Sequence, residues 1–278
     1  MIFEKIQVPI QTVGSNGAKA QLHAYIPDIS VDAREPLTFP ACVICPGGGY
    51  EYVSPREGEP VALRLAAAGI ASFVLYYSTK PAVFPQSLCE AAWAVSEVRA
   101  NAAQWHIDPE KVMIVGFSAG GHLAASLGTM YDSPEVYAAL GKRAALCRPD
   151  GLVLGYPVIT WGKCAHCASF KALLGADFCE KRAEELSLDR LICKKTPPAF
   201  IWHTAEDRCV PVENSLRLAS AYAAQGVGFE LHVFPRGTHG LSLASREVAH
   251  DESQIVKEAQ CWIDMAIRFI KNGEKGLQ

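Results

Sequence analysis

The amino-acid sequence predicts an α/β protein with a mostly parallel central sheet and helices on both faces, in a single domain over residues 1–278. Three observations predict it. Short apolar runs alternate along the chain with longer segments of helical periodicity. The runs are nearly continuous in apolar residues, as strands covered on both faces are. At the junction of one run with the helix after it stands Gly116-Phe117-Ser118-Ala119-Gly120, a serine set between two glycines.

Taken in order, residues 2–10 and 20–26 read as two strands joined by a Gly/Asn/Ser turn, an antiparallel start to the sheet. Residues 41–45 form a third strand that runs into three glycines. Residues 57–68 read as a helix stopped at Gly69, and 71–77 as the fourth strand. Residues 85–104 form a long helix with Leu88, Ala92, Val95 and Val98 on one face. The fifth strand is 112–117, with a helix from Ala119. The sixth is 151–156. An irregular insert, 159–195, follows it and is too long for an ordinary connection, so it is expected to be a small cap or substrate-side loop. Residues 199–203 and 229–234 read as strands, 212–224 as a helix and 247–270 as a closing helix. No internal repeat or low-complexity linker interrupts the series.

Half of the 278 residues are apolar and about a fifth are charged, with a formal net charge of −3 at pH 7. That is enough apolar material for one large core. Lys and Arg are scattered, which gives no reason to expect nucleic acid or an anionic membrane surface as a partner. The N-terminal MIFEKIQVPI alternates like a strand and has no basic flank before an apolar run, unlike a signal peptide. Residues 66–77 are broken by Gly69 and Ser72 and are too short to span a bilayer. A soluble, cytoplasmic chain is expected, with its ten cysteines as reduced thiols. Cys164-x-x-Cys167, with His166 between, invites a zinc reading. A structural zinc needs four ligands and no second pair follows, so no metal is expected. Homo-oligomerisation is left open.

The Gly-x-Ser-x-Gly segment carries the chemistry. A serine hydroxyl is a poor nucleophile and must be presented bare beside a base. A tight strand–turn–helix corner lifts Ser118 above the sheet edge, and crowding there demands the small Gly116 and Gly120. The start of the helix turns backbone N–H groups, Ala119 among them, toward developing negative charge. Such a corner works with an acid and then a histidine further along the chain. Asp207, in FIWHTAEDRCVP, and His239, in FPRGTHGLS, each follow a predicted strand, where ligand-facing loops lie. Glu206 adjoins Asp207 and is its rival, and either carboxylate could face the histidine.

Among the other histidines, His203 and His232 sit in predicted strands, and His23, His106 and His250 are far from this edge. His122 lies on the helix behind the serine as a packed core histidine. His166 is in the insert, within reach of substrate but badly placed to act as base. The second set of oxyanion donors is expected from CPGGGY, where three glycines let backbone amides approach a carbonyl oxygen. PGGGYEYVSPRE has neither GK[ST] nor G-x-G-x-x-G, so a phosphate-cradling loop is rejected.

Together CPGGGY, GFSAGGHLAAS, PPAFIWHTAEDRCVP and ELHVFPRGTHGLSL resemble the esterases of the α/β-hydrolase fold, from about Ala41 to the end. The nearest group is the bacterial carbohydrate esterases of the acetylxylan esterase and feruloyl-esterase-like kind. The resemblance implies Ser118 as nucleophile, His239 as base and Asp207 as the acid orienting it, with amides of Gly48, Gly49 and Ala119 forming the oxyanion hole. One departure is Pro46, where many relatives carry a loop-stabilising histidine before the glycines. The segment KCAHCASFKALLG resembles the variable substrate-side part of that family through His166, Ser169, Phe170 and Leu174-Gly175.

The implied reaction is hydrolysis of a small-molecule ester, a short acyl group such as acetyl on an oligosaccharide, through an acyl-enzyme and without a cofactor. Tyr50, Tyr52 and Trp161 are candidate aromatic platforms for the sugar, although plain packing is the commoner role for such residues, and His166 in the insert is a further candidate substrate contact. A peptidase of prolyl-oligopeptidase type shares the motif order, but 278 residues leave no room for its large gating domain. A non-catalytic binding protein on the same fold commonly loses one of the three residues, and all three candidates are present here.

Overall fold

Eight strands form one sheet in the order β1-β2-β4-β3-β5-β6-β7-β8 in the computed structural model, which describes residues 1–28 and 38–272. They are β1 (Ile2–Gln7), β2 (Gln21–Ile26), β3 (Phe39–Cys45), β4 (Ala71–Tyr76), β5 (Ile107–Phe117), β6 (Leu152–Gly155), β7 (Ala199–Thr204) and β8 (Phe229–Phe234). β1 pairs antiparallel with β2, and β2 antiparallel with β4; every other pairing is parallel. The helices are α1 (Glu59–Ala67), α2 (Gln86–Ala100), α3 (Ala119–Met130), α4 (Pro134–Leu140), α5 (Cys167–Leu174), α6 (Glu180–Glu185), α7 (Glu213–Gln225) and α8 (Trp262–Asn272). No helix among the described residues is long and apolar enough to cross a membrane.

The continuous apolar runs are explained by two cores, one on each face of the sheet. Along β5, Val112 and Ile114 enter one core with Leu88, Val95 and Leu123 from α2 and α3. Met113, Val115 and Phe117 point the other way, into a core with Val61, Leu65, Trp262 and Phe269 from α1 and α8. A strand alternating between two apolar surroundings has no position left for a polar side chain.

Several boundaries differ from those read in the sequence. β1 ends at Gln7 rather than at residue 10. β5 begins at Ile107, five residues before the apolar run, because Phe39 pairs with Ile107 ahead of a register shift that leads to the Ala41–Val112 pair. Residues 247–270 are not one helix. Two 3-10 turns, Glu252–Gln254 and Lys257–Ala259, precede α8. The Asp251 carboxylate accepts from Ser253 N, and Gln254 Oε1 accepts from Arg56 and from His250 N, so local polar bonds replace helix bonds there. α4 is not among the elements the sequence predicts, although Ser133 caps it by accepting from Val136 N and Pro134 opens its first turn. The 159–195 insert is built from α5 and α6 with intervening turns. It is anchored where Asn214 Oδ1 accepts from Ile159 N and Thr160 N.

Candidate active site

Ser118 occupies the corner between β5 and α3 with φ +53° and ψ −120°, a backbone region that an L-residue holds only when its neighbours enforce it. Ser118 N donates to Gly155 O at 3.0 Å, and its carbonyl accepts from His122 N (3.1 Å) and Val158 N (3.0 Å). A Cβ on Gly116 would lie 2.2 Å from Gly120 O. One on Gly120 would lie 2.0 Å from Cys45 O and 2.3 Å from Pro46 O. The two glycines are therefore required by backbone packed against backbone, where nothing can yield.

His239, in the loop after β8, places Nε2 2.8 Å from Ser118 Oγ and Nδ1 2.6 Å from Asp207 Oδ2. A carboxylate can only accept, so Nδ1 carries the proton and the Nε2 lone pair faces the serine hydroxyl. Asp207, in the loop after β7, is held from its other oxygen by Cys209 N and Val210 N, both at 2.9 Å. Burial works against its ionisation. Hydrogen bonds from His203 and His239, the charge of His239 and the Val210 amide outweigh that cost and hold the Asp207 carboxyl well below the usual carboxylate range. Glu206 is exposed, and its carboxylate accepts only a long 3.4 Å bond from Gly237 N. Asp207 is the residue brought to His239.

The glycine loop after β3 lies over this corner. Gly48 and Gly49 have φ of +126° and +66°, and among the described residues no acceptor takes the N–H of Gly48, Gly49 or Ala119. Gly47 N, by contrast, donates to Glu57 Oε2 at 2.7 Å. Pro46 cannot supply the side-chain bond a histidine would make. The loop is tied instead through Gly47 and through Tyr50, whose hydroxyl donates to His122 Nδ1 at 2.9 Å.

The expected sugar platforms fare differently. Tyr50 is 3% exposed and its ring packs in the core, so the platform expectation is corrected. Trp161 is half-buried and packed edge-on to Phe170 and Phe178 within the insert. Tyr52 is exposed beside the glycine loop. His166 sits at the start of α5 with Nδ1 2.8 Å from Ser169 Oγ. Burial, then the nearby charge of His239, lowers its pKa. A polar cavity of about 930 Å³ opens beside His239, lined by Arg208, Thr238, Asp251, Ser253 and Gln254. Cys164 and Cys167 are at or near the surface, and no cluster of three His, Cys, Asp or Glu fit to hold a metal occurs among the described residues.

Two residues of the site escaped sequence reasoning. Glu57 reads in the sequence as the first residue of a helix, and Tyr156 as the last residue of an apolar strand. Both are buried and bonded to each other at 2.7 Å. An acidic residue at a helix start has an ordinary explanation in the helix dipole, which hides any other use.

His122 makes the fold pH-sensitive. Its Nε2–H donates to Leu186 O and its Nδ1 accepts from Tyr50, and burial lowers its pKa to about 4, opposed by the Leu186 bond. An imidazole in the unfolded chain titrates near 6.5, so between those values the unfolded state binds more protons. Stability conferred by the neutral ring is complete above about pH 6.5 and is lost as the pH falls to about 4, by roughly 3 kcal/mol. Urea unfolding across that range is expected to show a steeper loss for wild type than for His122→Gln. Equal slopes would contradict it.

The sheet order, with a serine-bearing corner after β5 and facing loops after β7 and β8, defines an α/β hydrolase. The chain belongs to the BD-FAE family, whose model matches residues 27–222. It is 40% identical over 214 residues to endo-1,4-beta-xylanase B of Butyrivibrio fibrisolvens, covering 74% of this chain and 33% of that protein. It is 31% identical over 258 residues to acetylxylan esterase of Xylanibacter ruminicola, covering 90% of this chain and 49% of that protein. The chain thus spans between a third and a half of the length of these curated relatives. Among solved structures, the acetyl ester-xyloside bifunctional hydrolase of Caldicellulosiruptor lactoaceticus superposes with a TM-score of 0.83 at 37% identity, over 99% of this chain and 97% of that one.

Proposed function

We propose that the protein is a serine esterase that removes short acyl groups, acetyl foremost, from acetylated carbohydrate. The observation that carries this is His239 bridging Ser118 and Asp207 at 2.8 and 2.6 Å. His239 takes the Ser118 proton as the hydroxyl attacks the ester carbonyl, and Asp207 keeps the imidazole in the accepting tautomer and stabilises its cation. The amides of Gly48, Gly49 and Ala119 receive the oxyanion; one such donor contributes about 3 kcal/mol. His239 then passes its proton to the departing alcohol, and water, activated the same way, releases the acyl group.

The names of the xylan-acting relatives support acetyl and a xylose-based sugar. A cytoplasmic setting is part of the same proposal, one in which the ten cysteines would stay as thiols. A panel of acetylated xylo-oligosaccharides, feruloyl esters and dipeptide amides, compared by kcat/KM, tests the proposal. The acetylated sugars are expected to lead; turnover of the amides alone would overturn it in favour of a peptidase.

A further inference from the structure

Three carboxylates are buried among the described residues: Glu57, Glu90 and Asp207. Asp207 serves His239. Glu90 is taken up by Ser78 and Gln86 at the N-terminal end of α2. Glu57 stands within the site. Its Oε2 accepts from Gly47 N at 2.7 Å, which holds the base of the glycine loop, and its Oε1 accepts from the Tyr156 hydroxyl, also at 2.7 Å. The Tyr156 oxygen in turn accepts from Ser242 N at 2.8 Å, three residues beyond His239. The Tyr156 ring meets the His239 ring edge-on, with centroids 5.1 Å apart. Tyr156 itself has φ +37° and directly follows Gly155, whose carbonyl holds Ser118 N.

One buried carboxylate and one phenol thus join the three loops that carry the glycines, the serine and the histidine. Both groups facing Glu57 are donors, a pattern that an ionised carboxylate completes and an amide cannot. Burial, and then the Glu57 charge, keep the Tyr156 hydroxyl protonated far above the ordinary phenol range, so it remains a donor. The neighbouring Arg56 reinforces the same connection by donating to Gly240 O and to Gln254.

We propose that Glu57 and Tyr156 are a positioning pair, which sets the spacing between the oxyanion amides and His239 and so acts on the transition state without touching substrate. The inference rests on the esterase reading of Ser118. Glu57→Gln keeps the volume but turns one acceptor into a donor. Tyr156→Phe keeps the ring against His239 and leaves Glu57 Oε1 and Ser242 N without their partner. Misplacing reacting groups by a fraction of an ångström to 1 Å costs up to about a hundredfold in rate.

Each variant is expected to lower kcat on a chromogenic acetate ester by about 10- to 100-fold, with KM within about twofold. Binding of a phosphonate transition-state mimic should weaken in step with kcat/KM, and the double variant should be no slower than the slower single one. A pair that served only folding would shift the unfolding transition and leave kcat per folded molecule unchanged. That outcome, or multiplicative effects in the double variant, overturns the proposal. Should Glu57→Gln fail to fold, Tyr156→Phe carries the same test alone. Ser118→Ala in the same assay separates the two levels. If it is inactive while both positioning variants keep wild-type kcat, the pair falls and the esterase reading stands; if it is fully active, the reading beneath falls.

Discussion

Replacing Ser118 by alanine is expected to remove ester hydrolysis almost entirely, lowering kcat by about a millionfold. The hydroxyl is the one group in position to attack, because His239 Nε2 reaches Oγ at 2.8 Å. Without it no tetrahedral adduct forms on residue 118, so the amides have no oxyanion to receive and His239 has no hydroxyl proton to take. The fold should be indifferent to the change. The corner is held by the backbone of Ser118, through Gly155, His122 and Val158, and alanine retains those bonds and fits the same φ no worse than serine does. The expected result is an inactive protein with a wild-type circular dichroism spectrum and a near wild-type unfolding transition. A variant that hydrolysed a chromogenic acetate at the wild-type rate would remove the nucleophile.

Asp207→Asn is expected to cost about four orders of magnitude in kcat at neutral pH. Its Oδ1 accepts from Cys209 N and Val210 N, and an asparagine oxygen can keep both bonds, so the loop should hold its shape. The amide nitrogen would then face His239 Nδ1. It can only donate, which turns the imidazole to the tautomer with its proton on Nε2, and that nitrogen can no longer accept from Ser118. Glu206→Gln is the informative companion. Glu206 is exposed and bonds only weakly to Gly237 N, so this variant should stay within a few fold of wild type. Steady-state rates for the two side by side settle which carboxylate orients the histidine; reversed effects would transfer the role to Glu206.

The corner was legible in the chain because its requirements are local. A buried strand, two glycines at fixed offsets from a serine and a helix start all lie within one short segment, and each has its own reason in backbone geometry. Asp207 and His239 were legible because they follow recognisable strands in the order this chemistry uses. The strand–helix alternation was legible for the same reason, since two apolar cores leave their signature in every central strand.

What escaped was set by contacts distant in sequence. The start of β5 at Ile107 depends on pairing with Phe39, and Asp108 to Lys111 look like loop residues by composition. The segment before α8 reads as helix until Arg56, almost two hundred residues away, claims Gln254. Tyr50 reads as either a sugar platform or a packed ring until His122 is seen to hold its hydroxyl inside. Glu57 has no local mark at all. Its use appears only when Gly47, Tyr156 and Ser242 are brought around it.

Intact-mass and peptide mass spectrometry after treatment with a fluorophosphonate ester tests the central claim most directly, because the reagent leaves a stable adduct on an activated serine. One adduct per chain is expected, on the peptide that carries Ser118, forming with loss of esterase activity and greatly slowed in His239→Ala. Full loss of activity with the adduct on another residue, or an unlabelled Ser118 in an enzyme still turning over acetate esters, would contradict the account.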